Sequence, residues 1–170
     1  MKKTLLILLI LFTVTPIISV AQKQTKEEKA AIARAAYDVA VKCVDAKNFV
    51  IVPSSYTDKE GMIEANTDNS NFLSFETKKL FLQGDIVCDN RYTNIAEATE
   101  YIPSFDKKGN LRLRIVVMGR MVKGTYIISM RSNGNMADVI FTPQSGVTRK
   151  FSGPIVPLNA ANYNKRSNPM

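Results

Sequence analysis

The chain has 170 residues, with 23 Lys and Arg against 15 Asp and Glu and a formal net charge of +8. It contains no histidine, no tryptophan and only two cysteines. The missing imidazole excludes Ser-His-Asp and Cys-His nucleophilic catalysis, His-ligated zinc and imidazole acid–base work. Any catalysis would have to use carboxylates, Lys, Tyr or a Ser-Lys pair, and the moderate positive charge favours acidic surfaces without deciding a partner.

Met1-Lys2-Lys3 forms a short cationic start, Leu5 to Val20 is nearly all apolar, and Ser19-Val20-Ala21 places small residues where signal peptidase cuts. The pattern predicts an export signal over 1–21, cleaved after Ala21 to leave Gln22 as the mature N-terminus. Thr13, Thr15, Pro16 and Ser19 interrupt the apolar run, which is too short for a membrane span of about 20 residues. No Cys stands at the cleavage point to carry a lipid. The expectation is a soluble periplasmic or secreted protein that spans no membrane once the signal is removed. Residues 22–158 have the size of one domain, since domains run to about 100–200 residues. The polar, Asn-rich segment 159–170 reads as a flexible C-terminal tail.

Thr25-Lys26-Glu27-Glu28 is a capping-box pattern with acids in the first turn. It predicts a helix from about 26 to 46, docked through Ile32, Ala36, Val39 and Cys43, with Lys29, Arg34, Asp38, Lys42 and Asp45 on the solvent side. Phe49-Val50-Ile51-Val52 then reads as a short strand ended by Pro53. Residues 57–71 are polar turn chemistry and read as a long loop. Asn66, Asp68 and Ser70 imitate the start of a calcium loop, but Asn71 and Thr77 stand where the EF-hand needs Gly and Glu.

Strands dominate from Phe72 onward. Phe72 to Leu82 makes one or two, Asp85 to Cys88 another, and Asn94 to Tyr101 is ambiguous between strand and helical turn. After the Asp106–Asn110 hairpin loop, Leu111, Leu113, Ile115 and Val117 alternate with Arg112, Arg114 and Val116 in the cleanest strand of the chain. Short turns then separate Thr125–Arg131, Met136–Thr142 and Val147–Ser152, the pattern of an antiparallel meander. The predicted fold class is α+β: one N-terminal helix packed on a curved antiparallel β-sheet or a partly closed β-barrel.

Cys43 and Cys88 are the only thiols. Export permits one disulfide between them, and two buried free thiols fit equally; the lean is toward the unbridged pair, because a domain of this size needs no staple. The carboxylates are scattered without the spacing of a paired acid and base. No phosphate loop or nucleophile elbow is present, so no catalytic, cofactor-binding or metal-ligating residue is assigned, and no cofactor is expected. Basic residues gather in the meander, where Arg112 and Arg114 share one face of a strand and form a candidate anion-facing pair. Alternation of charge with core residues on a one-sided sheet gives the same pattern.

Three segments carry a resemblance: Ala46-Lys47-Asn48-Phe49-Val50, then Gly134-Asn135-Met136-Ala137-Asp138-Val139-Ile140-Phe141, and Arg149-Lys150-Phe151-Ser152-Gly153-Pro154-Ile155. On these the chain resembles a family of exported Bacteroidetes proteins of unknown function, built as an N-terminal helix followed by an antiparallel β-domain. The resemblance covers about residues 28–158. It departs in mid-chain, where Val87-Cys88-Asp89-Asn90-Arg91-Tyr92 stands in place of a Leu-Pro-Tyr-Phe-Gly-Arg-like segment. The resemblance implies export and fold, and no activity. The expected function is an exported non-enzymatic module that binds an envelope partner or ligand through its sheet or loops, with no nucleic-acid partner. A small hydrolase working with carboxylates or Tyr, and a purely structural envelope protein, are the alternatives from other classes.

Overall fold

The computed structural model describes residues 25–167; the expected signal segment and its cleavage after Ala21 lie outside that range. The first element, α1 (Lys26–Asp45), starts where its capping box closes. Glu28 N donates to Thr25 Oγ1 at 3.2 Å, and Thr25 N donates to Glu28 Oε2 at 2.9 Å. These two bonds satisfy two of the helix's orphan donors. Among the described residues, no helix is long and apolar enough to cross a membrane.

The docked face of α1 differs from the expected one. Tyr37, Ala40 and Val44 are buried, while Ile32 is 56% and Val39 45% exposed. Ala36 and Cys43 sit half-buried at the margin. The contact stripe is thus turned by one position, about 100°, toward the side that carries an aromatic ring. Tyr37 brings more area to bury than Ile32 and also has a hydroxyl to satisfy. That hydroxyl donates to the Gly109 carbonyl in a hairpin, and Tyr101 Oη donates to Val44 O at 2.6 Å near the helix C-terminus. The first two turns of α1 are largely exposed and flank a cleft shared with Met136, Asp138 and Ser152.

Ten strands follow among the described residues: β1 (Asn48–Ile51), β2 (Ser55–Thr57), β3 (Ile63–Ala65), β4 (Phe72–Glu76), β5 (Lys79–Gly84), β6 (Asn90–Phe105), β7 (Leu111–Gly119), β8 (Lys123–Met130), β9 (Met136–Pro143) and β10 (Arg149–Val156). All pairings are antiparallel in the order β1-β4-β5-β6-β7-β8-β9-β10, and β10 returns to β1 through Val50↔Val156 and Ile51↔Ile155. Eight strands therefore close into a barrel, which removes the edges that an open meander would leave. The α+β expectation holds, and the closed alternative is the one adopted. Long β6 makes the turn from one partner to the next: its first half pairs with β5 and its second with β7.

Alternation decides what fills the barrel. On β7, Leu111, Leu113, Ile115 and Val117 point inward and are at most 1% exposed. They meet Phe49, Ile51, Leu73, Phe75, Leu80, Leu82, Ile128, Val139 and Phe151 in one core. Tyr126 and Phe141 stack inside it with ring centroids 4.3 Å apart. The interior is packed with side chains.

Two predicted loops or strands turn out otherwise. The segment expected as a loop over 57–71 contains the β2–β3 hairpin, tied by Asp58 N to Met62 O (2.9 Å) and Met62 N to Asp58 Oδ1 (2.7 Å). After Pro53 the chain keeps pairing with β10, at Tyr56↔Phe151, but its other neighbour changes from β4 to β3. Gly153 allows this break, since a Cβ there would lie 2.4 Å from Val52 O. The Asp85–Cys88 stretch, expected as a strand, is a single helical turn, α2. Gly84 ends β5 with φ of +103°, a conformation that strands do not continue through and that other residues adopt only with strain.

Residues 159–167 of the segment expected as a flexible tail make contacts with the barrel. After a 3-10 turn at Leu158–Ala160, the chain lies along the outer face of β4, β5 and β6. Tyr163 packs on Phe72 with centroids 4.8 Å apart, Lys165 Nζ reaches both Glu76 carboxylate oxygens at 3.0 and 3.1 Å, and Asn164 N donates to Asn69 O at 3.1 Å. This strap explains why outward-facing Ser74, Gln83 and Thr93 are fully buried.

Candidate binding cleft

The barrel has two differently built ends. Chain direction and register put α1 and the hairpins after β4, β6 and β8 at one end. They put α2, the β2–β3 hairpin and the turns after β7 and β9 at the other. α2 plugs its end from within: Val87 is fully buried, and Tyr126 Oη donates to Val87 O at 3.0 Å. Asn71 supplies the cap, its Oδ1 accepting from Ile86 N at 3.3 Å. Gly84 makes room for that cap, because a Cβ on it would fall 2.1 Å from Asn71 Oδ1.

Where β3 takes the place of the downward continuation of β4, the barrel wall is notched. The notch is a cleft of about 790 Å³ between the β2–β3 hairpin, α2 and the end of the strap. Tyr56, Asn66, Asp85, Arg91, Arg149 and Arg166 are among its walls. Its floor loop is held rigid by Asx turns: Asp68 N donates to Asn66 Oδ1 at 3.1 Å, and Ser70 N to Asp68 Oδ1 at 2.9 Å. Ser70 Oγ also donates to Asp68 Oδ2, at 2.8 Å. The Ser70 backbone N–H, then its hydroxyl, hold the Asp68 carboxyl below its ordinary range, and the charge of nearby Arg166 adds to this. Both Asp68 oxygens are thus engaged within the loop, which agrees with the failed calcium pattern. Among the described residues, no group of three or more carboxylates or thiols is placed to hold a metal ion.

The acids of the cleft are largely satisfied internally. Asp85 accepts from Arg91 Nε at 2.9 Å, Asp58 accepts from Met62 N, and Asp68 is tied to Ser70. Arg149 pairs with Asp89, and its buried Nε finds no partner. Arg166 reaches the cleft because its backbone N–H donates to Gln83 Oε1 (3.1 Å) and Thr93 Oγ1 (3.2 Å). Gln83 Nε2 in turn donates to Ser70 O and Asn164 O, at 2.7 and 2.9 Å. One buried amide therefore joins the floor loop, β6 and the strap.

The two thiols are free, and they lie at opposite ends of the barrel. Cys43 is half-buried on α1, whereas Cys88 ends α2, with Sγ 3.7 Å from Gly84 O and 3.6 Å from Asn90 O. Burial pushes the Cys88 thiol up to about 12, so it carries no thiolate near neutral pH and cannot act as a nucleophile there.

Arg112 and Arg114 do share the outer face of β7, as expected, but they do not line this cleft. Arg114 is paired across the strands with Glu100, and Arg112 stands exposed between Ser104 and Ser129. The residues that converge, Arg91, Arg149 and Arg166, come from segments far apart in the chain. Only barrel closure and the strap bring them together, and no local spacing announces it.

No protein-family model matches the chain, and no curated protein does. Among solved structures the fold is similar to that of a DUF4251 family protein from Bacteroides eggerthii DSM 20697. The TM-score is 0.68 at 22% identity, over 78% of this chain and 95% of that one. That neighbour is a Bacteroides protein from a domain family of unknown function, which agrees with the resemblance read from the motifs. At this identity the likeness carries the fold and no activity.

Proposed function

We propose that the protein is an exported, non-enzymatic binding module, periplasmic or secreted, whose ligand or envelope partner is taken at the α2 end of the barrel. The observation that carries this reading is the notch. The barrel interior is filled, whereas the notch is concave, of ligand size, and walled by convergent polar groups on a rigid floor. Three of the four carboxylates in the cleft, Asp58, Asp68 and Asp85, are hydrogen-bonded within the wall, which favours binding over acid–base chemistry. Export is supported by the cationic start, apolar run and Ser19-Val20-Ala21 ending; intact mass of the protein from its native host should begin at Gln22.

A thermal-shift screen against nucleotides, amino acids, and neutral and acidic saccharides tests the binding reading. Hits should vanish in Thr148→Trp, which fills the cleft from an exposed position, and survive in Asn133→Trp at the α1 end. Hits indifferent to Thr148→Trp would move the site elsewhere.

A further inference from the structure

We infer that the cleft takes an acidic ligand, one bearing two or more carboxylate or phosphate groups, and that the C-terminal strap completes the site by carrying Arg166 into it. The inference rests on the binding reading above and goes further by naming the ligand's chemistry.

The charged side chains of the cleft differ in whether a neighbour already engages them. Five basic and four acidic side chains line the cleft. Asp58, Asp68 and Asp85 are each engaged by a neighbour within the wall, which leaves only Glu60, at the hairpin tip, without a partner among the described residues. On the basic side Arg91 and Arg149 are paired with Asp85 and Asp89. Lys59, Lys150 and Arg166 make no side-chain ion pair among the described residues. Among the charged side chains of the walls, those left with neither a hydrogen bond nor an ion pair are therefore three cations and one carboxylate. Lys59 and Lys150 come from the paired hairpin and β10, with Lys150 opposite Thr57, and Arg166 comes from the strap across the notch. A ligand with a single anionic group would meet one of them; a ligand with two or more can bridge the opening. Arg166 can present its planar fork to a carboxylate or phosphate, and the two lysines act as point charges.

The strap's part follows from its anchoring. Arg166 is fixed through its backbone N–H on Gln83 and Thr93, which leaves the guanidinium free of that duty. Arg166→Gln thus removes the charge while keeping the anchor.

Titration calorimetry at low salt with trigalacturonate, inorganic tripolyphosphate and neutral maltotriose tests the inference. At least one acidic probe should bind, weaken as salt rises, and lose about tenfold in affinity in Arg166→Gln and again in Lys150→Gln. Preference between the two acidic probes tells carboxylate from phosphate. Binding of maltotriose alone, abolished by Thr148→Trp, would keep the cleft and overturn the acidic assignment. Acidic binding that is lost in Arg112→Gln and untouched by Arg166→Gln would overturn both the assignment and the cleft. Failure of all three probes in wild-type protein overturns the inference as stated, and the thermal-shift screen then decides the cleft separately.

Discussion

The α1 end and the α2 end of this barrel are closed by opposite means. At the α1 end, 20 residues of helix cover the opening and lay Tyr37, Ala40 and Val44 on the core, with two tyrosine hydroxyls as the polar contacts. At the α2 end a four-residue turn is held by an asparagine cap, a glycine with positive φ and a polar loop. Burial of apolar area, about 25 cal/mol per Å², is tolerant of small shifts. A hydrogen-bonded plug is not, since each bond depends on a fixed geometry. The first end is stabilised by what it hides, while the second leaves polar groups converging on open space.

Ala40→Asp would bury an unpaired carboxylate under α1 and should destabilise the protein by about 4 kcal/mol in urea unfolding. A loss below about 1 kcal/mol would mean that the helix does not seal its end. Gly84→Ala should cost about 3 kcal/mol, because it combines a strained φ with a clash against Asn71. If Gly84→Ala unfolds like wild type, the capped plug is not rigid and the contrast between the ends fails.

Thiol chemistry sharpens the same contrast without mutation. Cys88 ordinarily ionises near 9 and here only near about 12, so its contribution to stability is complete below pH 9 and disappears as pH rises toward 12. Labelling of native protein at pH 8 should modify Cys43 before Cys88, and both thiols should titrate in denaturant without prior reduction. Faster labelling of Cys88 would show the plug opening, and absence of free thiols would show a bridge. The smallest effect is expected from Ile32→Asp, at an exposed position of α1, at under about 1 kcal/mol. A loss as large as that of Ala40→Asp would restore the stripe expected from sequence.

What was legible and what was not divides along physical lines. The α1 start, the inward residues of β7 and the meander could be read because capping, alternation and turn chemistry act within a few residues. The docking face of α1 is not legible, since an Ile/Ala/Val stripe outweighs one Tyr in periodicity but not in buried area. Asp85–Cys88 reads as a strand because its apolar residues alternate as well as they cluster; Gly84 and the distant Asn71 decide the matter. The tail reads as flexible from its composition, yet Gln83 and Thr93, some 70 to 80 positions away, hold it down. The cleft shares that origin: Arg91, Arg149 and Arg166 have no common motif and meet only once the barrel has closed.

We take the α2 end to be the working end of the barrel. Amide chemical-shift mapping of the isotope-labelled protein, titrated with the low-mass fraction of the native cell envelope, tests it most directly. Shifts should be confined to residues 57–68, 84–91, 147–150 and 163–167, with 26–44 and 130–136 unmoved. Shifts gathered on α1 and the β8–β9 hairpin, with the α2 end silent, would contradict it.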